Sequence, residues 1–238
     1  MNILVDVGNT SIKWQFREGQ AVVRTEVGDL NSLEAQLALR DDLSTATAAV
    51  SCVRDEAFAR ELQTLFTAAG CTSVHFVSSV AEFAGLKNAY SAPDTLGVDR
   101  LLALLATRAR GHTTSLVIDA GTACTIDVMS QGSHVGGYIL PGVCLARESL
   151  IANTDKIRFD DTVQASLMPG TTTAACVSSG AWLMTYGAVN EIIRRFPEAA
   201  VFLTGGSAKE LIALGRRRRV GDRPRIRGFG FLAKWGLT

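Results

Sequence analysis

The chain has 238 residues, 47% of them hydrophobic and 20% charged, with a formal net charge of +1. That length supports a full core, as one large domain or two of average size, and the composition excludes a disordered chain. The near balance of charge gives no general attraction to nucleic acid or a lipid surface, and no apolar run reaches the ~20 residues that span a bilayer.

Residues 2–7 read as a buried strand, and 11–17 (Ser-Ile-Lys-Trp-Gln-Phe-Arg) alternate as its antiparallel partner. A third strand fits 20–27, and Asn31 or Ser32 suits the cap of a helix running to about residue 40. A strand over 46–53 leads to a helix over 55–69, with Phe58, Leu62, Leu65 and Phe66 on one face and Gly70 as its stop. A short strand at 74–77 precedes a Gly-, Pro-, Asn- and Ser-rich loop over 84–98. An apolar helix then runs from Asp99 to about Arg110. The second half restarts with strands at 115–119, 124–129 and 135–140, helices at 142–152, 173–195 and 206–215, and a strand at 200–204. The order is α/β, a mixed sheet with helices in each half, with the boundary near 111–114.

Two motifs carry the most information: Asp6-Val7-Gly8-Asn9-Thr10 and Asp119-Ala120-Gly121-Thr122-Ala123, nearly half the chain apart. Each follows an apolar, β-branched run. An acidic residue at a strand end can hold a metal directly or through water, the glycine permits a sharp turn, and free N–H groups and hydroxyls can surround phosphate oxygens. This is the pattern of a duplicated strand-turn-strand device that grips a nucleoside triphosphate. The five cysteines are scattered without a C-x-x-C, and the three histidines are also scattered. Reduced thiols in a cytoplasmic protein fit this usage better than a disulfide framework or a zinc site. Asp6 breaks the first apolar run and no basic segment precedes it, so no secretory signal is expected.

With these motifs stand Lys13, Gly97-Val98-Asp99-Arg100, Gly136-Gly137-Tyr138-Ile139-Leu140-Pro141-Gly142 and Thr204-Gly205-Gly206. In this order and spacing the set resembles the actin-like superfamily of ATP-binding folds, which includes the acetate and sugar kinases, and within it the type III pantothenate kinases. The resemblance implies two ribonuclease H-like (actin-like ATPase) domains, residues 1–112 and 113–238, with a cleft between them. It implies transfer of the γ-phosphate of ATP to the primary hydroxyl of pantothenate. Asp6, Val7, Gly8, Asn9, Thr10, Ser11, Ile12 and Lys13 would line the triphosphate, with Asp6 approaching Mg²⁺ through water, and Thr122 would contact ATP from the other domain. Asp99 would be the catalytic base. Tyr90, Gly97, Val98, Asp99 and Arg100 would contact pantothenate, and Asp119 would hold a monovalent cation, K⁺ or NH₄⁺.

One motif departs from the family pattern G-x-N-T followed by a small residue and S-G. The chain has Gly170-Thr171-Thr172-Thr173, then Cys176, Ser179 and Gly180, with Thr172 in the asparagine position. Thr173 is the substrate contact this match implies, and in the family that contact is tied to a homodimer interface.

Each residue also has a plainer role. Asp6 and Asp119 suit strand-end turns, Asp99 suits a helix N-cap, and Thr173 suits a helix start. Trp14, Trp182 and Trp235 suit packing, and Cys124 suits a small buried filler rather than a nucleophile. The run Arg216–Arg219 reads as a solvated face. It is also the one feature that favours a DNA-associated accessory regulator of transcription over an enzyme. Another small-molecule kinase of the superfamily is the third alternative.

Overall fold

In the computed structural model, which describes residues 1–19, 21–158, 164–216 and 226–228, apolar β-branched runs form the central strands, and the two halves build their sheets in the same way. In the first half β1 (Asn2–Val7), β2 (Ile12–Glu18), β3 (Ala21–Gly28), β4 (Thr47–Cys52) and β5 (Ser73–Phe76) form a sheet of order β3-β2-β1-β4-β5. The first three strands are antiparallel neighbours, and β1, β4 and β5 run parallel. In the second half β8 (Ser115–Ala120), β9 (Ala123–Ser130), β10 (Ser133–Pro141), β11 (Ala200–Thr204) and β12 (Ile226–Gly228) repeat that plan in the order β10-β9-β8-β11-β12, with the same parallel and antiparallel relations.

Two compact units result. One comprises residues 1–81 with 90–102, and the other comprises 82–89 with the described residues from 103 onward. In the first unit Ile3, Val5, Val7, Ile12, Trp14 and Phe16 face Leu33 and Leu37 of α1 (Leu30–Ala38), and Phe58, Leu62 and Phe66 of α2 (Glu56–Ala68). In the second, Leu116, Ile118, Cys124, Ile126 and Leu203 pack with Ala181, Trp182, Tyr186 and Val189 of α5 (Thr173–Arg195). Val143 of α4 (Val143–Ala152) and Leu211 of α6 (Ala208–Arg216) complete that core. Trp14, Trp182 and Cys124 are thus packing residues; Trp235 and Arg217–Arg219 lie outside the described residues.

Three local expectations are corrected. The cap of α1 is Asp29, not Asn31 or Ser32: its carboxylate accepts from both the backbone N–H and the hydroxyl of Ser32. An Asp one residue before the helix satisfies orphan donors better than a Ser within it. The segment 84–98 is not all loop. It closes a hairpin of β6 (Glu82–Phe83) and β7 (Leu86–Lys87), forms a 3₁₀ turn at Pro93–Thr95, and enters α3 (Val98–Ala109) at Val98. Asp99 is not an N-cap but sits in the first turn of α3, because the carbonyl of Gly97 already accepts from Leu101 N–H.

Candidate functional site

In the first unit β1 and β2 run side by side with Asp6 opposite Lys13, and the turn between them is closed by Gly8 N–H donating to Ser11 O at 3.0 Å. Asp6 is buried at the end of β1, with Ser51 of β4 as its other neighbour in register. Asn9 and Thr10 are exposed, while Gly8, Ser11 and Lys13 are half-buried. Val7 and Ile12 belong to the apolar core. Any contact they make with a ligand at this turn is therefore through backbone groups.

The same unit carries a second constellation at the start of α3. Arg100 is 6% exposed, and its Nη1 donates to the Tyr90 hydroxyl at 2.9 Å, with the guanidinium 5.7 Å from the centre of the Tyr90 ring. The Asp99 carboxylate accepts from Arg100 N–H at 2.9 Å. A Cβ on Gly97 would come within 2.7 Å of Asp99 Oδ1, so the absence of a side chain at 97 leaves that carboxylate its place. Val98 is buried and anchors the helix start. Tyr90, Gly97, Asp99 and Arg100 therefore form one contiguous group, with an acceptor beside a buried cation.

The second unit builds its turn from three chain segments. Between β8 and β9, Gly121 N–H donates to Ala123 O; Gly142 N–H, at the head of α4, donates to Thr122 O at 2.9 Å; Ser207 N–H, ahead of α6, donates to Ala120 O at 3.0 Å. Gly142 rests on the backbone of Gly121 and Thr122, and Gly205, at φ +97°, rests on the backbone of Ala120. A side chain at either would occupy the space of that backbone. The N-terminal ends of α4 and α6 thus adjoin the Asp119–Ala123 turn. Pro141-Gly142 and Thr204-Gly205-Gly206 read in sequence as turn punctuation or motif elements. Their meeting at Ala120–Thr122 is a long-range pairing whose only local signal is a glycine just after a strand.

Asp119 is half-buried at the end of β8, in register with Thr125 of β9 and Thr204 of β11, and Thr122 is exposed. Burial pushes the Cys124 thiol up to about 11, and the negative charge of Asp119 adds to the shift. A thiol so held is no nucleophile at neutral pH. On α5 it is Thr172 that caps the helix, its hydroxyl accepting from Ala175 N–H at 3.1 Å, while Thr173 is exposed on the first turn. Thr and Asn are both good N-caps, so Thr172 keeps the local role that the family's asparagine can fill. Among the described residues no group of three or more His, Cys, Asp or Glu side chains is gathered to hold a metal, and no helix is long and apolar enough to cross a membrane.

Comparison with known proteins agrees with this architecture. The type III pantothenate kinase of Pseudomonas aeruginosa (strain LESB58) is 37% identical over 223 residues, which cover 88% of this chain and 89% of that protein. Among solved structures, a Campylobacter jejuni protein described as a Baf family transcriptional activator superposes with a TM-score of 0.60 at 18% identity, covering 99% of this chain and 94% of that one. MreB5 of Spiroplasma citri bound to ADP superposes at 0.54 with 11% identity, covering 99% and 94%. At these identities the two structures establish the fold alone, that of the actin-like ATPases. The family model for type III pantothenate kinase matches residues 2–195, and the chain belongs to that family.

Proposed function

We propose that this protein transfers the γ-phosphate of ATP to the primary hydroxyl of pantothenate, giving 4′-phosphopantothenate on the route to coenzyme A. The observation that carries the reading is the group at the head of α3: a buried Arg100 held by the Tyr90 hydroxyl, beside a half-buried Asp99 carboxylate. Asp99 is the base that accepts the proton of the attacking hydroxyl. Arg100 offers a planar fork of donors suited to the carboxylate of pantothenate, with Tyr90, Gly97 and Val98 around it. Phosphoryl transfer asks mainly for positioning and charge neutralisation, which this arrangement supplies.

Asp6–Lys13 line the triphosphate of ATP, and Thr122 is a further nucleotide contact. Magnesium, when bound, neutralises phosphate charge. The Asp6 carboxylate would hold it through water, since Mg²⁺ keeps much of its hydration. Asp119 suits a monovalent cation, K⁺ or NH₄⁺: its charge is already felt by Cys124, and hydroxyl-bearing Thr125 and Thr204 are its register neighbours. Thr173 reaches substrate at a homodimer interface built on α5, whose exposed Leu183 and half-open Met184 share the helix with Gly180 and Gly187. The protein works in the cytoplasm.

A coupled ATPase assay with pantothenate, magnesium and either K⁺ or NH₄⁺ tests this directly. Phosphopantothenate formation that needs the monovalent cation is the expected result. No product at high ATP with both cations would end the proposal.

A further inference from the structure

Arg108, in the last turn of α3, makes a contact that the chemistry described above does not use. Its Nε donates to Ala84 O at 3.1 Å and its Nη1 donates to Gly132 O at 3.0 Å. These carbonyls belong to two different hairpin turns. Ala84-Gly85 joins β6 to β7, with φ of +49° and +76°; Gln131-Gly132 joins β9 to β10, with +50° and +76°. Positive φ at both central residues is what two-residue hairpins of the type I′ class demand, and it strains the non-glycine Ala84 and Gln131. The guanidinium lies against both glycines. A Cβ on Gly85 would stand 2.7 Å from Nη2, and one on Gly132 would run into Nη1. One side chain thus fastens two turns 47 residues apart, each kept open by a glycine.

The hairpin so fastened is slight. Each of its strands has two residues, and only Leu86 among residues 82–87 is buried. A two-stranded ribbon of this size does not hold itself in water. Leu86, the approach of β7 to β10 and the Arg108 bonds hold it, and three residues after β7 the chain reaches Tyr90, whose hydroxyl accepts from Arg100. We infer that Arg108 is a positioning residue for the acceptor half of the site: by locking the β6–β7 turn it fixes where the 88–97 loop begins, and so where Tyr90 holds Arg100. Bidentate reach to two carbonyls is a property of the guanidinium fork that lysine lacks.

The inference rests on the kinase reading for its functional arm and on the fold alone for its structural one. The test compares Arg108→Ala and Arg108→Lys with Arg60→Ala, a surface control on α2, in the full-length protein. Amide hydrogen exchange should accelerate at least about tenfold over residues 82–91 in Arg108→Ala, less in Arg108→Lys, and not in the control. KM for pantothenate should rise about tenfold in Arg108→Ala while KM for ATP stays within about twofold. Unchanged exchange over 82–91, or equal changes in both KM values, would overturn the inference. Should Arg108→Ala not fold, Arg108→Lys carries the same two readouts. A wild type that turns over no pantothenate would sink the function proposed above, and the exchange result would then decide the role of Arg108 by itself.

Discussion

Asp99 and Arg100 are chain neighbours with opposite surroundings: the guanidinium is buried against Tyr90, and the carboxylate is half-exposed beside it. In the roles proposed above, a base that must meet an alcohol needs that accessibility, whereas a cation that fixes a substrate's charged end gains from a low dielectric. Replacing Asp99 by Asn keeps the shape and removes the proton acceptor. Turnover should fall by about 10²–10⁴-fold, with the thermal midpoint little changed; near-normal kcat in Asp99→Asn would remove Asp99 from the base role. Gly205 is a residue-scale case of another kind. Its φ of +97° and its contact with the Ala120 backbone leave no room for a methyl group. Gly205→Ala should cost about 1–3 kcal/mol of stability and weaken nucleotide binding together, read by denaturant unfolding and by titration with an ATP analogue. Gly206→Ala, where a Cβ meets nothing within 4 Å, is the matched control.

At the level of elements, what was legible in the sequence is what local physics decides. The apolar run in 2–7, the alternation in 11–17, the Phe58–Leu62–Phe66 stripe and the Gly70 stop, at φ +91°, are written in neighbouring residues, and the elements form there. The β6–β7 hairpin is hidden because Ala84-Gly85 lacks the Asn-Gly or Asp-Gly signal and its strands are two residues long. The clustering of Gly142 and Gly205 on the second turn is hidden because three separate segments create it. Asp99 suits a cap on sequence grounds because an acidic residue precedes an apolar run; Gly97 takes the flanking position instead. The Thr172 cap on α5 gives a test at this scale. Thr172→Ala should lose about 1 kcal/mol in chemical denaturation, and Thr172→Asn, which restores the family residue, should match wild type within a few tenths. A loss of equal size in Thr172→Asn would show that the threonine does more than cap.

For the whole molecule, repeating one strand order in both halves puts an acidic residue at the same topological point twice, Asp6 near the end of β1 and Asp119 near the end of β8. On the reading proposed above, the repeated turns serve the nucleotide and the α3 head serves the acceptor; fold alone would not choose between substrates. The core behind the second turn also sets an alkaline limit on stability. Cys124 is buried, and its thiol is raised from 9.0 to about 11 by burial first and by Asp119 second. Between those two pH values the unfolded chain has released the thiol proton and the folded chain still holds it. The folded state binds more protons there, so stability is full below about pH 9 and declines as pH climbs toward about 11, by roughly 2–3 kcal/mol from this group. Cys52 and Cys71 are shifted the same way by burial and steepen the decline. Cys124→Ala, despite a small cavity cost at neutral pH, should therefore lose less stability than wild type from pH 9 to 11, measured by urea unfolding at each pH. Parallel curves for the two proteins would mean that Cys124 does not titrate differently in the folded state, and that the wall behind the Asp119 turn is wetter than its packing implies.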